Sequence, residues 1–261
     1  MPTNPSVAPG ASAGEVKATV TDGIATISFH HPKGNSLPGA VLTRLADEIA
    51  SQGRNSDAAV IVLRSEGSGP FCAGASFDEL KAIKDPAAGK EFFSGFSRVI
   101  LAMIRAPKFV LTRVQGKVAG GGIGIVAASD YSVAVEAAPV RLSELAIGIG
   151  PFIVGLAIEH KIGLASFSTL AVDAEWHDAA WCERHGLYAR VVADGAALDD
   201  GVLALATKLA HSNPEAMAEL KRIFWRGTER WDETLAERAT MSGRMVLSAF
   251  TSRAIAEFES R

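Results

Sequence analysis

The segment at residues 118–130, VAGGGIGIVAASD, constrains the fold more than any other part of the chain. It holds four glycines within five residues, ahead of an apolar stretch typical of a buried helix. A glycine inside a helix costs on the order of 1 kcal/mol relative to alanine, so the run needs a structural or chemical reason. The strand-like sequence FVLTRV precedes it, which predicts a strand, a glycine turn and the start of a helix.

The glycine run alone leaves two interpretations open. The first amides of a helix have no internal partner and lie at the positive end of its dipole, so a bare backbone there can bind an anionic oxygen. Glycines also let a helix pack closely against a sheet. A dinucleotide-binding loop is disfavoured, because Ile125 stands where the pattern G-x-G-x-x-G requires its third glycine.

A second segment of the same kind lies at residues 69–80, GPFCAGASFDEL. It also follows a strand and a loop, and it enters a predicted helix through small residues. Two such turns in one fold can present backbone N–H groups to a single carbonyl oxygen from two sides, as an oxyanion hole does. The second segment therefore favours the oxygen-binding interpretation of the glycine run over packing alone.

The remaining pattern predicts an α/β fold, in which buried strands are covered by helices. Residues 1–14 are small, Pro-rich and uncharged, which predicts a disordered tail rather than a signal peptide. We expect a core at residues 15–195 and a helical region at 196–261. The predicted elements are a hairpin at 15–30 around Asp22-Gly23, a helix at 38–51, buried strands at 58–63, 109–114 and 131–135, and C-terminal helices that break at Gly227 and Gly243.

Composition narrows the class of protein. The formal charge of −3 gives no reason to expect nucleic acid or an anionic membrane as a partner. The most apolar run, residues 145–158, is shorter than the roughly 18 residues that a membrane span requires. Two cysteines are too few for a disulfide framework, and His30-His31 lacks further ligands at metal spacing. We therefore expect a cytoplasmic protein without a metal.

Five segments, in order, resemble the crotonase (enoyl-CoA hydratase/isomerase) superfamily. FCAGASFDEL and GKVAGGGIGIVAASD are similar to its two signature segments. The others are HPKGNSLPGAVLTRLADEI, LSELAIGIGPF and AEWHDAAWCERHGLYARVV, and the similarity covers roughly residues 16–210. The resemblance implies a spiral of ββα turns, followed by a helical C-terminal region that forms trimers, often paired into hexamers. It also implies acyl-CoA thioester substrates, with no cofactor besides the coenzyme A of the substrate.

The resemblance also implies roles for individual residues. The amides of Ala75 and Gly121 would form the oxyanion hole, and Glu144 would exchange the proton at the α-carbon. Glu144 also stands out by pattern, because Arg141 is the only other charged residue at positions 139–158, and an apolar setting raises a carboxyl pKa. Pairing with Arg141 or a purely structural role is the alternative. The predicted substrate-binding residues are Ala73, Gly74, Ser76, Phe77, Gly120, Gly124 and Phe152.

Two positions depart from the family pattern in ways that bear on the reaction. The second catalytic glutamate of the hydratases would fall at Gly124, and the nucleophilic aspartate of a thioester dehalogenase would fall at Phe152. A single acid favours Δ3–Δ2-enoyl-CoA isomerisation or a related enolate step. The alternatives are water addition to a 2-enoyl-CoA and a catalytically silent, oligomeric CoA-binding scaffold.

Other departures concern coenzyme A. Ser76 stands where many members have aspartate, and Gly69 and Asp78 stand where hydratases often have lysines near the phosphates. Lys33, Lys81 or Lys84 would be the replacement, unless they are ordinary surface lysines.

Overall fold

Strands and helices alternate through the first two thirds of the chain, and helices follow. The computed structural model describes residues 14–259, so the predicted tail lies, apart from Gly14, outside the described residues. The elements are β1 (Glu15–Thr21), β2 (Ile24–His30), α1 (Gly39–Arg54), β3 (Val60–Ser65), α2 (Phe77–Ala82), α3 (Pro86–Arg105), β4 (Val110–Val114), β5 (Val118–Ala119), α4 (Gly121–Ala127), β6 (Tyr131–Val135), β7 (Val140–Arg141), a 3-10 turn (Leu145–Ile147), α5 (Phe152–Asp173), α6 (Ala179–Arg184), β8 (Arg190–Val192), α7 (Gly195–Ala210), α8 (Pro214–Phe224), α9 (Trp231–Met245) and α10 (Ala249–Glu259).

The main sheet has six strands in the order β1-β2-β3-β4-β6-β8. The first pair is the predicted antiparallel hairpin, and its turn residues Asp22 and Gly23 both have positive φ, as a tight hairpin turn requires. All other pairs are parallel, with Ile61 opposite Val110 and Leu111 opposite Tyr131. Strands β3 and β4 are buried almost throughout, as parallel strands covered on both faces must be. The predicted α/β class is confirmed.

A second, two-stranded sheet positions the site. Strand β5 pairs in parallel with β7, and a single bridge joins Cys72 to Val118. The Ala119 N–H donates to the Cys72 carbonyl at 2.8 Å, and the Gly120 N–H donates to the Arg141 carbonyl at 2.9 Å. These bonds place three loops side by side, at residues 72–75, 119–121 and 141–144.

The C-terminal helices pack on the core of the same chain. Helix α9 runs along α3, and α8 is tied down by the buried Lys221. The Lys221 ammonium donates to the carbonyls of Met103 and Lys108 at 2.8 and 2.7 Å and pairs with Asp130 at 2.8 Å. Burial lowers the pKa of Lys221, while Asp130 opposes that shift by favouring the charged form. The buried charge is therefore compensated, and it fixes α8 against the sheet.

Helix α5 is, among the described helices, the one that is long and apolar enough to cross a bilayer by length and composition. It is broken at Gly163, where φ is 76° and ψ is 161°. Its first half supplies Ile153, Val154 and Ile158 to the buried core. In the described structure this half serves as a core helix, and it forms one side of the cavity described below.

Candidate active site

A cavity of about 590 Å³ lies between the two-stranded sheet and helices α3, α5, α9 and α10. It brings together loops that are far apart in the sequence, at residues 73–75, 120–121 and 141–144. Most of the residues predicted from the sequence line it, namely Ala73, Gly74, Ala75, Phe77, Gly120, Gly121, Glu144 and Phe152.

The backbone around Ala75 directs its N–H away from the neighbouring strand. The Leu37 N–H donates to the Gly74 carbonyl at 2.8 Å, and the Ser76 N–H donates to the Leu37 carbonyl at 3.0 Å. In a parallel pairing of this kind, the residue between the two bonded positions has its own N–H on the opposite side. The Ala75 N–H has no partner among the residues that the structure describes.

The Gly121 amide is the second candidate donor. Gly121 is the first residue of α4, so its N–H has no partner inside the helix, nor elsewhere in residues 14–259. A Cβ atom added at Gly74 would lie 3.9 Å from the Gly121 nitrogen, so the two turns touch. Two unpaired amides on adjoining turns at one cavity are the arrangement that an oxyanion hole requires.

The structure explains why two of the glycines are needed here. Gly120 has φ 49° and ψ −123°, a conformation that side chains with a Cβ atom strongly disfavour. At Gly121, an added Cβ would lie 2.3 Å from Cζ of Phe96, whose ring covers the turn. The glycines therefore permit close packing and also leave the helical N-terminus without side chains, while the binding of an anionic oxygen there stays a prediction.

Glu144 lies directly before the 3-10 turn and faces this pair of turns. A Cβ atom added at Gly120 would lie 3.2 Å from Oε1 of Glu144. The other carboxyl oxygen, Oε2, is shielded from solvent and has no hydrogen-bond partner in the described chain. Burial raises the pKa of the Glu144 carboxyl to about 7, against the backbone N–H groups of Ser143 and Glu144, which lower it. Among the described residues no ion pair joins Arg141 to Glu144, and the Arg141 Nε donates to the Ala174 carbonyl at 2.6 Å.

Two residues predicted to bind substrate, Ser76 and Gly124, do not line the cavity. Ser76 caps α2 instead: its hydroxyl accepts the Glu79 N–H at 3.3 Å. Gly124 is covered by α5, since an added Cβ would lie 2.5 Å from Cγ1 of Val154. The place where a second acid would stand is therefore filled by an apolar side chain.

Lysines predicted to replace the CoA-binding residues differ in position. Lys33 lines the cavity and forms an ion pair with Asp78 at its solvent-exposed edge. That pair lowers the pKa of Asp78. Lys81 lies over the ring of Phe77, with its Nζ 5.5 Å from the ring centroid, and Lys84 is exposed outside the lining.

Several residues that shape the site were missed in the sequence. Asn35 holds the loop before Ala73, because its Nδ2 donates to the carbonyls of Glu66 and Pro70 at 3.1 and 3.0 Å. In the sequence, the indication of this role was the position of Asn35 in the segment HPKGNSLPG. In the structure Asn35 has a positive φ, which asparagine tolerates. The apolar wall from α3 and α5, formed by Phe92, Phe93, Phe96, Ile153 and Val154, has only a helical apolar pattern as its signal.

Comparison with known proteins identifies the family. Residues 19–258 match the family Enoyl-CoA hydratase/isomerase. The chain belongs to this family. A (7aS)-7a-methyl-1,5-dioxo-2,3,5,6,7,7a-hexahydro-1H-indene-carboxyl-CoA hydrolase of Rhodococcus jostii is 31% identical over 62% of this chain and 64% of its own length. The protein of the same name from Mycobacterium tuberculosis is 29% identical over 79% of this chain and 82% of its own.

A solved structure supports the fold. Enoyl-CoA hydratase from Bacillus halodurans superposes with a TM-score of 0.86, covering 93% of this chain and 99% of that one, at 17% identity. This likeness concerns the fold alone, and it confirms the crotonase-like architecture that the five segments imply. The family match over residues 19–258 makes the protein an acyl-CoA enzyme of the enoyl-CoA hydratase/isomerase family, and association into trimers stays a prediction. Among the described residues, no group of three or more His, Cys, Asp and Glu side chains could hold a metal.

Proposed function

We propose that the enzyme carries out single-acid enolate chemistry on an acyl-CoA, and that its reaction is Δ3–Δ2-enoyl-CoA isomerisation. One observation carries this proposal. Of the three acids in the described lining, Asp78 and Glu257 are exposed, and Asp78 is paired with Lys33, whereas Glu144 is shielded at the amide pair. A proton shuttle needs one such group, and Glu144 fits the role.

The proposed reaction consists of two proton transfers. The Glu144 carboxylate takes the proton from C2 of a 3-enoyl-CoA, and the electron pair moves onto the thioester oxygen. The N–H groups of Ala75 and Gly121 stabilise that oxygen, where one such donor contributes roughly 3 kcal/mol. The protonated Glu144 then gives its proton to C4, and the double bond forms between C2 and C3. A pKa of about 7 suits both halves, because the acid and base forms are both populated near neutral pH.

Water addition is the runner-up. In that reaction one acid and one base divide a water molecule across the double bond, so a second group must hold the water. Gly124 cannot supply that group, and Val154 occupies the adjoining space. Hydration by Glu144 alone would need water positioned by other lining groups. The third alternative, a silent CoA-binding scaffold, predicts binding without turnover.

A second candidate activity is hydrolysis of an acyl-CoA that carries ring ketones. The two relatives named as hydrolases favour it, and their substrate name describes a fused-ring diketone. A cavity of about 590 Å³ suits a bulky acyl group. If water adds to a ring ketone β to the thioester and the carbon–carbon bond between them breaks, the ketone carbon becomes a carboxylic acid and the leaving carbon becomes a thioester enolate, which then takes up a proton. The same two amides are suited to that enolate oxygen.

The deciding experiment follows a label. A 3-enoyl-CoA deuterated at C2 is incubated with the enzyme, and the product is analysed by mass spectrometry and NMR. Isomerisation through Glu144 predicts a 2-enoyl-CoA with part of the deuterium at C4. Turnover of 2-enoyl-CoA to the 3-hydroxy product, without isomerisation, would overturn the proposal in favour of hydration. We also propose that no cofactor is needed, so exhaustive dialysis against a chelator should leave the rate unchanged.

A further inference from the structure

Ser242 is a buried polar residue that the mechanism does not use. It lies on α9, is 1% exposed and lines the same cavity as Glu144. Its Oγ has no hydrogen-bond partner among the described residues. Arg238, one turn earlier on the helix, donates to the carbonyl of Phe152 at 3.1 Å, which holds this part of α9 against the cavity wall.

The two other hydroxyls on α9 both have partners. Thr234 donates to the Arg230 carbonyl at 3.2 Å, and Thr240 donates to the Ala236 carbonyl at 3.0 Å. Such bonds to the preceding turn are the ordinary way in which a helical hydroxyl is satisfied. Ser242 lacks the equivalent bond to Arg238. A buried hydroxyl without a partner destabilises the folded protein, so a ligand that supplies a hydrogen-bond partner would regain that free energy on binding.

The surroundings of Ser242 define what that partner can be. The wall from α3 and α5 is apolar. Of the two cations in the described lining, Lys33 is paired with Asp78, and Arg141 lies on the sheet wall, where its Nε donates to the Ala174 carbonyl. A carboxylate buried there would lack a counter-ion. A neutral oxygen, as in a ketone or an alcohol, needs only one hydrogen bond, which a serine hydroxyl can donate or accept.

We propose that Ser242 selects acyl-CoA substrates that carry a keto or hydroxyl oxygen in the acyl chain, by hydrogen bonding to that oxygen. The proposal rests on the proposed function only in that the acyl group occupies this cavity. It makes Ser242 a specificity residue, which contacts substrate away from the reacting carbons.

Binding of unreactive ligands tests this without turnover. Octanoyl-CoA and a series of saturated octanoyl-CoA analogues, each with one ketone at successive carbons beyond C3, are titrated calorimetrically. The wild type should bind one ketone isomer about fivefold to tenfold more tightly than octanoyl-CoA, as expected for one buried hydrogen bond. Ser242→Ala should abolish that preference and bind octanoyl-CoA at least as well as the wild type does.

Ser97→Ala is the matched control. Ser97 is also buried with an unpartnered Oγ, but it lies on α3 outside the cavity lining. Its replacement should leave the ketone preference intact. Equal affinity of the wild type for every member of the series would overturn the proposal, even if Ser242→Ala failed to fold. A ketone preference without turnover of 3-enoyl-CoA would instead refute the proposed isomerisation and leave this inference standing.

Discussion

The two walls of the cavity are built in different ways. On the sheet wall, the polar groups that line the cavity are the unpaired main-chain amides of Ala75 and Gly121, in loops held by backbone hydrogen bonds, with the Glu144 carboxyl beside them. On the helical wall, the groups are side chains, mostly phenylalanine, isoleucine and valine, with a single hydroxyl at Ser242. We expect substitutions on the helical wall to change the shape and polarity of the cavity more than the positions of the amides, which belong to loops beside the sheet. This division explains how one fold can serve the different reactions named for its relatives.

The largest effect is expected at Glu144, the one titratable group of the sheet wall that is shielded at the amide pair. Glu144→Gln keeps the shape and removes the base, so kcat for 3-enoyl-CoA should fall by about 10²–10⁴. Acyl-CoA affinity should stay close to that of the wild type. In the wild type, kcat/KM should rise as the pH increases through about 7, because the carboxylate is the active form. Unchanged turnover in the glutamine variant, measured spectrophotometrically, would show that Glu144 is not the proton carrier.

A somewhat smaller loss is expected when one main-chain donor is removed. Ala75→Pro deletes the N–H, and kcat should fall by about 10²–10³. Ala75→Gly changes the side chain but keeps the N–H, so it is the matched control and should lose less than tenfold. Circular dichroism and octanoyl-CoA binding check that both variants fold. Similar rates for the proline variant and the wild type would mean that the oxyanion is held elsewhere.

A third experiment tests whether the helical wall sets the reaction. Gly124→Glu alone should be destabilised by about 1–3 kcal/mol, because the added atoms collide with Val154. The double variant Gly124→Glu/Val154→Gly provides space for the second carboxyl. It should gain measurable hydration of 2-enoyl-CoA, while Val154→Gly alone should not. If the double variant folds, binds acyl-CoA and still adds no water, the missing second acid is not what limits hydration.

The sequence predicted what depends on local pattern and missed what depends on distant packing. Alternation around Asp22-Gly23 was enough to predict the hairpin. The predicted break at Gly243 is wrong, because this glycine lies inside α9 where the helix crosses α3. An added Cβ at Gly89 would lie 2.7 Å from the Gly243 Cα, and no local pattern reveals that contact.

The distinction between local pattern and distant packing also applies to the site. The loops at residues 73–75 and 119–121 were predicted from family resemblance, since their glycines and small residues are visible in the sequence. Strands β5 and β7, which align these loops, have two residues each and show no periodicity. Phe96, Val154 and Ser242 reach the site only because three helices from distant parts of the chain pack together. Their roles follow from tertiary structure rather than from any motif.

The last expected effect is on the pH dependence of stability rather than on rate, and it separates the shielded carboxyl from the apolar wall. A carboxyl with an ordinary pKa of 4.5 when unfolded and about 7 when folded binds more protons in the folded state between those values. Its contribution to the free energy of unfolding is therefore greatest at low pH and is lost as the pH rises from about 4.5 to about 7, by roughly 3 kcal/mol in total. Glu144→Gln lacks this titration, so the variant should gain stability relative to the wild type between pH 5 and pH 8. Urea unfolding of both proteins at fixed concentration measures the difference, and Val154→Ala serves as a control whose own destabilisation should not vary with pH. The stability difference between the wild type and Glu144→Gln could instead be the same at pH 5 and pH 8. That result would mean that the carboxyl ionises as it does in water. It would then not lie in the shielded position on which the proton shuttle depends.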